Sequence, residues 1–148
     1  MEIYNLQRFI EAQERDYATA LSEVKAGRKR SHWIWYIFPQ LRGLGRSTYA
    51  ELYGIEDRAE AESYLAHPVL GVQLREIAQA LLTHGDKSAE QIFGALDALK
   101  VRSSMTLFDA VSPNDVFARV LERFYHGTRC PITQERMDSP AASVEMPQ

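Results

Sequence analysis

Cysteine is almost missing: Cys130 stands alone among 148 residues. No internal disulfide can form, and a reducing, cytoplasmic setting is the expectation. Long apolar runs are missing too. The longest, Trp33 to Phe38, spans six residues, whereas a bilayer crossing needs about 20. The first residues show no charged, apolar and small-residue succession of a secretory signal, so no membrane association is expected. A basic excess is also lacking. The net charge is −3 and the pI about 5.8, which argues against a protein that coats nucleic acid. Internal repeats and long linkers are absent, and no oligomeric state is written in the pattern.

What is present is enough apolar material for one core, with 45% of residues hydrophobic and 25% charged. Charge is unevenly spread. Between Glu23 and Glu51 there is no acid, yet Lys25, Arg28, Lys29, Arg30, Arg42 and Arg46 lie there. A second acid-free interval, between Asp97 and Asp109, holds Lys100 and Arg102, which leaves the rest of the chain at −11. Local cationic surface on an acidic protein suits a small anion better than a long polyanion. Two separate, solvated basic faces are the plainer alternative.

The periodicity reads as helices throughout. Leu6, Phe9, Ile10, Gln13, Tyr17, Ala20, Leu21 and Val24 share one face, with Asn5 as the expected N-cap and Gly27 as the stop. The Trp33–Phe38 run suits a buried helix or strand; early closure by Pro39 and the lack of a pairing run favour helix. Ser47 caps a two-turn piece and Asp57 opens another, with His67 marking a break before Pro68. The next helix is expected from Pro68 to about Leu82, and Ser88 with Gln91 spells a capping box. Asp97 starts a helix through about Ala110, with Val101, Met105 and Phe108 inward and Leu99 and Leu107 beside them. Asp115 starts another that ends at Gly127, and a last turn is expected within Pro131–Met137. The expected fold is all-α: one compact domain over 1–137, built of about seven short-to-medium helices, with a flexible tail over 138–148.

Four stretches resemble a bacterial family named only as domain of unknown function 1810, often labelled calpastatin: YNLQRFIEAQ from Tyr4, RKRSHWIWYIFPQLRGLGRS from Arg28, AESYLAHPVLGVQLRE from Ala61, and LKVRSSMTLF from Leu99. The likeness runs nearly the whole chain up to Gly127. It implies a compact, mainly helical fold with no established activity. The calpastatin label describes a long, disordered, repetitive polypeptide, which a succession of amphipathic helices does not match.

Candidate site residues cluster in the two acid-free intervals. Gly43 and Gly45 free the backbone to turn amides toward one point, Ser47 begins a helix, and Arg46 can hold two oxygens at once. A turn that merely changes direction is the alternative. Lys100 and Ser103 share a helical face, as Arg102 and Thr106 share another. These residues could complete an anion site, or be a polar face sealed by Ser-to-backbone bonds. Arg30 adds charge, and His32 beside it is the candidate acid or base, or a donor to phosphate. Of the aromatic knot, Trp33 or Tyr36 would line the cleft while the others fill the core. His32, His67, His84 and His126 are scattered without ligand spacing, so neither metal nor cofactor is expected; His84 and His126 read as surface residues. The leading functional expectation is a pocket for a phosphate-bearing small molecule, such as a nucleotide. A basic face that docks an acidic protein partner is the rival, and contact with RNA or single-stranded DNA a third reading.

Overall fold

The helix Ala95–Val111 carries hydroxyls and charges among its apolar residues, yet it is buried along most of its length and five other helices pack on it. The computed structural model describes residues 5–139. Within them the chain forms α1 (Gln7–Ala26), α2 (Ile34–Ile37), α3 (Thr48–Leu52), α4 (Arg58–Ala66), α5 (Leu70–Leu81), α6 (Ala89–Phe93), α7 (Ala95–Val111), α8 (Val116–Tyr125) and α9 (Pro131–Asp138). Among the described residues no strand forms. A single parallel bridge, Leu41 to Ile55, ties the loop after α2 to the loop before α4. Helix α7 packs on α2, α4, α6, α8 and α9, while α1 lies on α2 and α5.

Several boundaries fall where local chemistry puts them. Gly27 ends α1 in the left-handed region at φ 81°, and the Ser47 and Asp57 side chains accept the orphan amides of Ala50 and Glu60. Ser88 and Gln91 form the reciprocal capping box. Others differ from expectation. Asn5 does not cap α1; the N-cap is Leu6, without a side-chain bond. Helix α5 starts at Leu70 rather than Pro68, because the Val69 and Leu70 amides are taken by His67 Nδ1. Helix α7 starts two residues before Asp97, straight after Gly94. Helix α9 runs through Asp138, so the expected tail does not begin there, and its residues 140–148 lie outside the described residues. His84 is not a free surface residue: its Nε2 lies 2.6 Å from the Val24 carbonyl oxygen.

The core is one contiguous cluster dominated by aromatics. Tyr64 meets Phe9 edge-on at 5.1 Å and tilts against Phe108 at 5.4 Å, and Phe38 stands edge-on to Phe93 at 5.7 Å. Each such ring removes about 150–250 Å² from water, which makes the knot of the second segment chiefly a packing element. Two of the hydroxyls of α7 enter this core already satisfied, whereas the buried Ser104 hydroxyl has no partner among the described residues. Ser103 bonds the Leu99 carbonyl at 3.2 Å and Thr106 the Arg102 carbonyl at 2.8 Å.

Candidate functional site

Gly27 reverses the chain at the end of α1, and Arg28 N–H bonds the Glu23 carbonyl at 3.0 Å. The reversal lays residues 30–33 across the last turn of α1, with their donors aimed at the Glu23 carboxylate. Oε1 accepts from Arg30 N–H at 2.8 Å, Ser31 N–H at 3.0 Å and Trp33 Nε1–H at 2.9 Å, while Oε2 accepts from the Ser31 hydroxyl at 2.6 Å. Burial disfavours the charge, but the bonds from Ser31, Arg30 and Trp33 outweigh it and draw the carboxyl down to about 2. In this stretch two backbone amides, a hydroxyl and an indole are all taken by the chain's own glutamate.

Lys29 points the other way and joins the two acid-free intervals. Its Nζ lies 2.8 Å from Asp97 Oδ2, and Lys100 Nζ lies 3.0 Å from Oδ1 of the same carboxylate. Each ammonium also sits over an indole, Lys29 at 5.1 Å from the Trp33 centroid and Lys100 at 4.6 Å from that of Trp35. Desolvation works against the Asp97 charge, yet the two lysines hold its carboxyl below the ordinary range. One carboxylate against two ammoniums leaves the cluster with a net positive charge. Lys29 is the more enclosed partner, its side chain only 8% exposed.

The glycine loop adjoins this cluster through Trp35. A Cβ placed on Gly45 would stand 3.6 Å from the indole Cη2, an ordinary contact, but 3.1 Å from Ala50 Cβ, so glycine eases the approach of the loop to α3. Beneath them lies a cavity of about 10 Å³ lined by Trp35, Leu41, Leu44, Gly45, Ala50 and Tyr53, at the lower limit for one water. Gly43 has φ 101° and is exposed. Ser47 spends its hydroxyl on the Ala50 amide at 3.1 Å. Arg46 is exposed and, like Arg28 and Arg30, has no side-chain partner among the described residues.

Lys29, Lys100, Trp35 and the glycine loop are therefore neighbours, while other expected members are elsewhere. Trp33 is 1% exposed, its ring enclosed by the core and by Lys29, and Trp35, partly buried against the core, is the more exposed indole. Tyr36 is likewise buried, its hydroxyl donating to Asp16, and burial together with that carboxylate pushes the phenol up to about 12. Arg102 has a buried Nε with no hydrogen-bond partner among the described residues, and its charge opposes the upward shift of the Tyr125 phenol. Ser103 is buried and turned inward. The His32 imidazole is exposed and unpartnered among the described residues; only its carbonyl is used, by Tyr36. No described carboxylate orients it.

Two features of the surface were not foreseen. Leu96 and Leu99, on the same turns of α7 as Lys100, are 74% and 52% exposed, although Leu99 was expected beside the buried stripe. The signal was the spacing: Leu96 stands four residues from Lys100 and three from Leu99, so it shares a face with each of them. The second is an open groove of about 450 Å³ lined by Arg8, Arg42, Glu51, Leu52, Glu56 and Asn5, with the buried Glu60 paired to Arg8 at 3.0 Å. Among the described residues no three His, Cys, Asp or Glu side chains are grouped as a metal site, and no helix is long and apolar enough to cross a membrane.

Fold and surface together define a small all-helical protein with a basic, partly apolar face on α7 and the α1–α2 connection. The chain belongs to the family described as protein of unknown function (DUF1810), which matches residues 3–137. It is similar over 99% of its length to the crystal structure of the conserved hypothetical protein Rv1873 from Mycobacterium tuberculosis, at 39% identity and a TM-score of 0.86, and 100% of that chain is covered. No curated relative matches the chain.

Proposed function

We propose that this protein is a docking module for an acidic, amphipathic segment of another protein. The observation that carries the reading is the exposure of Leu96 and Leu99 directly beside Lys100, in a neighbourhood where Lys29 and Lys100 outnumber Asp97. Exposed apolar side chains contribute when a partner covers them, about 25 cal/mol per Å² removed from water. The unpaired Arg28 and Arg30 near Lys29 favour carboxylates on that partner and speed its encounter.

A phosphate-bearing small molecule is the second reading. It is favoured by one arrangement, the partly buried indole of Trp35 held between Lys100 and Gly45, with Arg46 next in the chain. One titration series tests both. A fluorescent peptide with leucines three residues apart, flanked by glutamates, is expected to bind the parent saturably and more weakly as salt rises. Leu96→Ser with Leu99→Ser is expected to weaken it at least about tenfold, each exposed leucine contributing on the order of 1 kcal/mol. Unchanged affinity in that double variant removes the docking reading. ADP or inorganic phosphate in place of the peptide, with Arg46→Ala and Lys100→Ala, tests the second: equal thermal shifts in parent and variants end it.

A further inference from the structure

We propose that the Arg30–Trp33 segment is a carboxylate-binding site that Glu23 fills from within, and that a carboxylate of the acidic partner exchanges with Glu23 there. The exchange rests on the docking reading; the existence of the site does not. Four donors from three residues converge on one carboxylate at 2.6–3.0 Å, drawn from two backbone amides, a hydroxyl and an indole. That is a complete recognition set for a planar two-oxygen anion, more than a turn needs to hold its shape.

Glu23 itself is not an obligatory occupant. It lies in the last turns of α1, where the carbonyl end of the helix disfavours negative charge, so the cradle compensates a poor position. Its side chain is only partly buried, on an exposed edge between Arg28 and Arg30. Rotation about the Glu23 side chain would carry the carboxylate to water. An incoming carboxylate would then remake the same four bonds, so the exchange is nearly balanced in hydrogen bonding. The neighbouring unpaired arginines and the apolar contacts at Leu96 and Leu99 would tip it toward the partner. Glu23 in this arrangement keeps the site closed to weak or purely anionic ligands, because these bring no apolar contact to offset its displacement.

The indole N–H resonances of the two tryptophans give a direct test. In Glu23→Ala, acetate is expected to shift the Trp33 indole resonance saturably and to leave that of Trp35 nearly still. A folded Glu23→Ala protein whose Trp33 resonance ignores acetate overturns the site. If the variant does not fold alone, recovery of its folded spectrum with acetate, but not with chloride at equal ionic strength, supports the site; failure of acetate to restore it counts against. In the parent protein, the acidic leucine peptide is expected to move the Trp33 resonance as Glu23 leaves. Peptide binding with that resonance unmoved defeats the exchange while docking stands. Absence of peptide binding defeats docking while the acetate result still decides the site.

Discussion

Glu23 gains most of its ionised-state advantage from bonds that only the folded chain supplies. The carboxyl drops from its ordinary 4.5 to about 2 on folding, so as pH falls the unfolded chain takes up the proton first. The stabilisation is therefore complete above about pH 4.5 and is lost as pH falls toward 2. Because the side chain is partly exposed, Glu23→Gln is expected to cost only about 1–2 kcal/mol at neutral pH. Urea unfolding of parent and variant at a series of pH values checks this: the gap should close toward about pH 2. A gap that persists there would mean that packing, not charge, holds the turn. The cations Arg28, Lys29 and Arg30 were legible, but the donors that hold Glu23 are two amides, a hydroxyl and an indole, which no charge pattern reveals. Glu23 sits on a helix face otherwise read as solvent, and only the reversal at Gly27 brings it opposite Ser31.

At the scale of elements, chain stops and caps were the most readable features. Gly27, Ser47, Asp57 and the Ser88–Gln91 box act within three or four residues of themselves, so their geometry depends little on the rest of the fold. The Trp33–Phe38 run was the least readable. Without periodicity in a six-residue apolar stretch, nothing distinguishes the buried Trp33 from the more exposed Trp35. Close approaches between elements were also hidden. Gly71, at the start of α5, faces the Leu65 carbonyl of α4, and a Cβ there would lie 2.0 Å from that oxygen. Gly71→Ala is expected to destabilise by about 2–3 kcal/mol, since backbone must move to admit the methyl. Gly85→Ala, where nothing lies within 4 Å, is the control and should be near neutral. Thermal unfolding of the pair separates them, and equal midpoints would refute the close packing of α4 on α5.

For the whole molecule, Asp97 is the point at which two regions far apart in sequence become one surface. The all-helical class followed from amphipathic patterning, but the meeting of Lys29 with Lys100 could not, because no local rule relates residues that distant. Asp97→Asn leaves two ammoniums facing each other, one of them nearly enclosed. We expect a loss of about 2 kcal/mol in denaturant unfolding, smaller than for a fully buried pair because Lys100 is partly solvated. Lys29→Met added to Asp97→Asn should recover part of that loss by removing the stranded charge. If the double variant is as unstable as the single, the carboxylate acts through backbone contacts and the two basic segments are joined by other means.

Cys130 lies at the start of α9, its sulfur covered and accepting a bond from the Thr133 hydroxyl at 3.3 Å, while its amide donates to Thr106 on α7. Its low exposure and its contact with Thr133 on α9 are expected to slow a maleimide at that thiol. The alkylation half-life of the intact chain then reports how often the seam between α7 and the start of α9, tied by Cys130 N–H to Thr106, comes open.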